Sequence, residues 1–288
     1  MNSQKKKSLL FVLLCVICWA FIPVVSKLGQ FNLDNYQFLF WSNLFSCFVL
    51  FIYTIASGRL KSFLSYTKSQ IFISFFLGLL GTCVYYLLLY YAYAHAKGLE
   101  VLVIQYTWPI FVTIFSVLIL KEHVTPRTYA ATLIGFLGIV IAVSKGNITQ
   151  INLSNLYLDL LVIIAACTFG LFSVLSKKYN YEPITLTTYF YISGTLFSFI
   201  AMCIFSKVIL PQLNSLHLII LNGALINGLS YVFWILALKY GNASFVASFV
   251  FLTPVIAAFL IVIFFNEPVL PAYFISLFMV VIAGLLSK

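Results

Sequence analysis

Charge is what this sequence most conspicuously lacks. Only 8% of its 288 residues are charged, against roughly 25% in a typical soluble domain. With 63% hydrophobic residues, a water-soluble fold could not cover its surface with polar groups. Intrinsic disorder needs the opposite composition, low hydrophobicity and high charge. Acids are scarcer still, six against sixteen bases. No glycine-rich loop of the form GxxxxGK followed by Ser or Thr occurs, so direct coupling to a nucleoside triphosphate is not encoded. His95, His123 and His217 lie far apart, and the six cysteines (Cys15, Cys18, Cys47, Cys83, Cys167, Cys203) all fall inside apolar runs. A disulfide framework or a zinc site needs such residues in loops or clustered. Neither a metal, a cofactor nor a catalytic residue is therefore expected.

What the sequence has instead is long apolar runs. Ten can be delimited, over 8–28, 36–57, 70–94, 99–120, 127–144, 156–176, 184–206, 216–238, 242–265 and 270–286. A membrane-spanning helix takes about 20 apolar residues, so ten of them use roughly 200 positions. The runs are too long for strands and lack strict alternation, which excludes a β-barrel. Between them stand the usual stops and starts, among them Gly58-Arg59, Thr125-Pro126-Arg127, Lys145-Gly146-Asn147 and Asn266-Glu267-Pro268. Lys5-Lys6-Lys7 and the run after it resemble a secretory signal, but the run is too long and no small-residue cleavage site follows. A retained first helix is expected. The fold class is an all-α integral membrane protein, multi-pass, with the lipid bilayer as its surroundings.

Loop charges orient such a protein. With the N-terminus inside, the cytoplasmic side holds Lys5, Lys6, Lys7, Arg59, Lys61, Lys68, Lys121, Arg127, Lys177, Lys178, Lys239 and Lys288, and the outer side only Lys27, Lys97, Lys145 and Lys207. Both termini are thus expected to be cytoplasmic. The net charge of +10 reads as a topology signal, and no nucleic-acid partner is expected. Asp34, Glu100, Glu122, Asp159, Glu182 and Glu267 each fall near the start of a helix, where the helix dipole favours an anion. No carboxylate is expected near the middle of a span.

The chain also repeats itself. A shift of 145 residues lays Tyr86 on Tyr231, Ala92 on Ala237, Pro109 on Pro254, Glu122 on Glu267, Pro126 on Pro271 and Tyr129 on Phe274. A shift of 150 lays Trp19 on Phe169, Ala20 on Gly170, Ser26 on Ser176 and Lys27 on Lys177. The reading is two halves, 1–145 and 146–288, of five helices each. Five is odd, so the second half enters the membrane from the opposite side. Inverted repeats of this kind recur in secondary transporters.

These motifs resemble those of the EamA-type transporters in the drug/metabolite transporter superfamily. The resemblance rests on Trp19-Ala20 to Lys27 with Pro109, Glu122 and Pro126, and on Phe169-Gly170 to Lys177 with Pro254, Glu267 and Pro271. It implies ten helices as two inverted five-helix repeats around a substrate site, over essentially the whole chain. One departure is Phe169, where many relatives carry Trp, which weakens an aromatic-cage role in that half.

Candidate site residues follow from polarity and depth. Trp19 lies at mid-depth, away from the interfacial belts, and its indole N–H needs a partner. Tyr86, Tyr90 and Tyr93 share one helical face, as do Asn227, Tyr231 and Trp234. Such stripes commonly mean packing, but an amide such as Asn227 in hydrocarbon must meet a partner or a cavity. With Gln105, Thr107, Trp108, Ser248 and Thr253 they outline a polar-aromatic substrate site. Pro109 and Pro254 lie about 18 Å deep, near the midplane, and with Pro23 are kink or gating candidates. Lys27 and Lys177 read as cations at helix C-termini, Glu122 and Glu267 as caps of the helices that follow, and the Gly78/Gly81 and Gly135/Gly138 pairs as close-packing faces. The function expected is a secondary transporter, as a monomer or homodimer in the cytoplasmic membrane, exporting a small molecule such as an amino acid or another neutral or zwitterionic metabolite. The alternative is uptake or exchange of a choline-like cation held by aromatic faces. A membrane-embedded enzyme is the remote third reading.

Overall fold

The computed structural model describes residues 3–29, 33–95, 98–150, 155–266 and 268–286, without some side chains among them. Every regular element in the described residues is helical. Among the described residues, nine helices are long and apolar enough to cross a membrane: α1 (Ser3–Val25), α2 (Asn35–Ala56), α3 (Lys68–Leu89), α4 (Val101–Leu120), α5 (Pro126–Val143), α6 (Leu156–Tyr179), α7 (Pro183–Phe205), α8 (Leu216–Tyr240) and α9 (Ala243–Phe265). A shorter apolar helix, α10 (Pro271–Leu286), follows.

The boundaries sit where local chemistry puts them. Asp34 caps α2 by accepting from the N–H groups of Tyr36 and Gln37, and the Gln37 side chain returns a bond to the Asp34 N–H. Thr67 and Gln70 build the same box at α3. Thr125 caps α5 and Glu182 caps α7, each with proline in the first turn, where its missing N–H costs nothing. The helices α4, α6 and α9 end on Lys121, Asn180 and Asn266 in the left-handed conformation. A reciprocal cap satisfies backbone donors that would otherwise be stranded at the helix start.

Five interruptions divide these helices: three fall at the prolines singled out as kink candidates, and the two π-helical ones had no signal in the apolar runs. The helix α1 breaks at Phe21, α4 at Tyr106–Thr107 and α9 at Phe251, each two or three residues before Pro23, Pro109 or Pro254. Proline lacks the N–H that would bond the carbonyl four residues back, and its ring crowds that carbonyl. The helices α3 and α8 instead widen into π-helical turns over Leu79–Val84 and Asn222–Leu229. Side chains from neighbouring helices take up the carbonyls of these widened turns. The Tyr231 hydroxyl donates to Gly81 O at 3.1 Å, the Asn43 amide to Thr82 O at 3.2 Å, and the Ser46 hydroxyl to Gly223 O at 2.7 Å. Such bonds are what permits irregular backbone at membrane depth.

Short connections make successive helices antiparallel, and polar ties define two faces. On one face, which holds the described ends Ser3 and Leu286, Arg59 pairs with Glu182 at 2.8 Å and Ser8 donates to Ala237 O at 2.8 Å. On the far face, Gln37 donates to Ser206 Oγ and Lys207 O at 3.1 and 2.9 Å. Close packing between helices depends on missing Cβ atoms. At Gly170 a Cβ would stand 2.6 Å from Phe111 Cβ, so α6 approaches α4 only because that position is glycine.

Candidate functional site

A cavity of about 540 Å³ lies between α1, α3, α4, α6 and α9, within the ~300–1,000 Å³ typical of small-molecule sites. Its mouth is at the far face, where Asn35 opens α2, exposed Lys145 follows α5, and Tyr273 begins α10. Its floor is aromatic. Trp19 packs edge-on to Trp108 and Phe169, each at 6.0 Å between ring centroids, and Trp108 meets Phe169 at 4.8 Å. Tyr85 lies 4.8 Å from Phe169 and 4.9 Å from Tyr86. These are the offset and edge-to-face distances that aromatic quadrupoles favour.

Polar groups on this floor are few and specifically held. The Trp19 indole N–H donates to Ser230 Oγ at 2.8 Å. The Gln105 amide donates to the Tyr85 hydroxyl at 2.8 Å. Thr253 lies in the wall beside Pro254. Among the described residues, neither Asp nor Glu lines the cavity, and Lys145 is its single charged side chain. The carbonyls that stand opposite the three prolines, four residues back, belong to Trp19, Gln105 and Val250, and all three residues line the cavity. The helix breaks therefore coincide with the site.

Of the residues singled out in the sequence, Trp19, Pro23, Tyr86, Gln105, Trp108, Thr253 and Pro254 line the cavity. Tyr231 and Trp234 stand behind it. The Tyr231 and Tyr86 hydroxyls lie 3.3 Å apart, joining two positions that the 145-residue shift superposes, and the Tyr231 ring lies 5.9 Å from Trp19. The Trp234 N–H donates to Ser173 Oγ at 3.1 Å, while its ring lies 5.5 Å from Trp19.

Asn227, Ser248 and Pro109 are buried away from the lining. Asn227 sits in the π-helical stretch of α8, and the 3.6-residue period that aligned it with Tyr231 and Trp234 fails across widened turns. Ser248 donates to Phe245 O at 2.8 Å within its own helix. Pro109's neighbour Trp108 lines the cavity instead. The Tyr90 side chain lies outside the described residues. Tyr85, Tyr106, Asn35, Lys145 and Tyr273 were missed. The signal for Tyr85 was its place beside Tyr86, and that for Phe169 was its register with Trp19. Phe169, whose lack of an indole had counted against it, is at the centre of the floor.

The cavity does not reach the face that holds the termini. Below the floor, Lys177 donates to Glu122 and to Gly241 O. Glu122 also accepts from the Ala243 N–H, at 2.9 Å through one oxygen and 3.2 Å through the other. Glu122 thus caps α9, a helix far along the chain, whereas Thr125 caps the helix that follows it. Lys177 is bound rather than extended to solvent. Glu267 and the Lys27 side chain, their counterparts in the sequence repeat, lie outside the described residues.

A bundle of membrane-length helices, interrupted around a deep aromatic cavity with no carboxylate among its described lining residues, is the architecture of a membrane transporter. Comparison with known proteins identifies the kind. A model of the EamA-like transporter family matches residues 6–144 and again 156–287, and this chain belongs to that family. It is therefore a multi-pass membrane protein and a transporter, not an enzyme. The chain is similar to an uncharacterized transporter of Archaeoglobus fulgidus, at 26% identity over 93% of this chain and 91% of the other. It is also similar to an S-adenosylmethionine uptake transporter of Rickettsia prowazekii, at 25% identity over 87% and 84%, and to an uncharacterized transporter of Bacillus subtilis, at 25% over 88% and 87%. A crystal structure of a protein 16% identical superposes with a TM-score of 0.88, covering 99% of this chain and 98% of that one, a likeness of fold.

Proposed function

We propose that this protein moves a small neutral or zwitterionic metabolite, such as an amino acid, out across the cytoplasmic membrane by alternating access. The observation that carries this reading is the cavity itself. It is a ~540 Å³ site with an aromatic floor, a few oriented amide and hydroxyl groups, and no carboxylate among its described lining residues. A site that held a cationic drug by charge would place a carboxylate at mid-depth. In this reading the halves 1–145 and 146–288 are inverted five-helix repeats and the termini are cytoplasmic, so the mouth at Asn35 and Lys145 faces outward. Trp19, Tyr86, Gln105 and Trp108 contact the substrate, and Tyr231 and Trp234 back them. Pro23 and Pro254 give the walls their bends.

Flux into proteoliposomes tests this. Radiolabelled amino acids should cross faster than in empty vesicles, with the reverse gradient driving counterflow. Equal rates for protein and empty vesicles across the amino acids would overturn the substrate assignment. A second reading is favoured by one further observation: three of the similar proteins are named S-adenosylmethionine uptake transporters, and the faces of Trp19, Trp108 and Tyr86 suit a sulfonium or quaternary cation. Uptake of labelled S-adenosylmethionine or choline, with no amino acid flux, would establish it.

A further inference from the structure

We propose that Glu122 and Lys177 are a releasable latch that holds the cavity shut on the face bearing the termini. This rests on the alternating-access reading, because a latch needs a second state into which to release.

Four chain segments converge at the pair: the ends of α4, α6 and α8 and the start of α9. Glu122 comes from the first half of the chain, while Lys177, Gly241 and Ala243 come from the second. The two charged side chains are only 11% and 19% exposed, whereas the Arg59–Glu182 pair on the same face is 39% and 30% exposed. A shielded pair with further N–H and C=O partners is held much more firmly than an exposed one.

Its position matters as much as its strength. Lys177 follows Phe169, on the cavity floor, by eight residues of one helix, which is about 12 Å. Between them stand Ser173 and the ring of Trp234. On the other side, Ile119, Leu120, Lys178, Asn180 and Lys239 enclose a second hollow of about 470 Å³ against the same Glu122 and Lys177. The pair thus stands between an aromatic floor and a hollow already begun from the closed face. Helices α4, α6 and α9, of which α4 leads into Glu122, α6 carries Lys177 and α9 begins at Ala243, also carry Trp108, Phe169 and Thr253 in the cavity. Separating their ends would extend the site toward the closed face.

Hydrogen–deuterium exchange of the full-length protein in nanodiscs tests the latch. Wild type is compared with Glu122→Gln, Lys177→Gln, the double variant and Arg59→Gln. In each single variant, exchange in peptides spanning 119–125 and 238–245 should rise about tenfold, the factor set by loss of one charge-assisted hydrogen bond. Exchange around 142–148 and 270–275, on the far face, should fall in the same samples. The double variant should match the singles, and Arg59→Gln should show no reciprocal change. Faster exchange on the latch face alone would mean a structural tie and would overturn the proposal, as would unchanged exchange on both faces. If Glu122→Gln fails to elute as wild type does, Lys177→Gln decides, since it leaves the Glu122 cap on α9. Reciprocal exchange with no amino acid flux would sink the substrate assignment and leave the latch standing. Normal wild-type flux without reciprocal exchange would do the reverse.

Discussion

The two ends of the cavity axis are built from different helix ends, and they differ in how those ends are joined. At the far face, helix ends carrying Asn35, Lys145 and Tyr273 line the cavity. At the face of the termini, helix ends carrying Ser8, Glu122, Lys177, Gly241 and Ala243 are tied to one another. Between them lies a floor of rings whose polar atoms are each held by a hydroxyl: Trp19 by Ser230, Trp234 by Ser173, Gln105 by Tyr85. The difference teaches that what matters is where the polar ties fall: on one face they join the ends of α4, α6 and α9 beneath the floor, and on the other they join α2 to Ser206 and Lys207, outside the cavity lining.

Breaking the floor should have the largest effect. Gly170→Val places methyl groups where a Cβ alone would already meet Phe111 at 2.6 Å. Overpacking costs typically about 1–3 kcal/mol, and α6 would be pushed from α4. Monodisperse yield and thermal unfolding in detergent should both fall sharply. Retention of the wild-type melting temperature would mean that α6 and α4 are not so closely packed. Trp19→Ala comes next. It removes the ring that touches Trp108, Phe169, Tyr231 and Trp234, and flux should drop at least about tenfold, at about 1.4 kcal/mol per decade. Folding should be monitored alongside, and Trp19→Phe, which keeps a ring but drops the bond to Ser230, should lie between.

Smaller effects sharpen the contrast between residues in the lining and residues beside it. Gln105→Ala removes the amide held by Tyr85, and a hydrogen bond worth about 1 kcal/mol corresponds to roughly a fivefold fall in flux. Asn227→Ala alters a residue just as polar but outside the cavity. Its flux should stay within about twofold while the unfolding midpoint drops slightly, the cost of a buried polar site. Should Asn227→Ala abolish flux and Gln105→Ala spare it, the site would lie along α8 and not along α4.

These contrasts also mark how far the residues alone could be read. Apolar runs, acids at helix starts and proline corners placed the helices to within a few positions, because each signal acts over one or two turns: Asp34 and Glu182 at helix starts, Thr125 before Pro126. Mid-depth aromatics pointed at Trp19, Tyr86 and Trp108, since a large ring with a polar atom in hydrocarbon needs company. Periodicity then misled. It set Asn227 beside Tyr231 and Trp234, but the π-helical turns of α8 rotate it out of register. It also passed over Tyr85, which an ideal helix would turn aside from Tyr86.

Local chemistry was enough to determine that this chain lives in lipid and where its helices begin and end. Burial in hydrocarbon and the capping of backbone donors depend on nearest neighbours in the chain. Which rings face the cavity, which face is closed, and that Glu122 meets Lys177, 55 residues away, were settled by packing. Glu122 was legible as a cap. That the helix it caps is α9, more than a hundred residues on, is a property of the folded bundle.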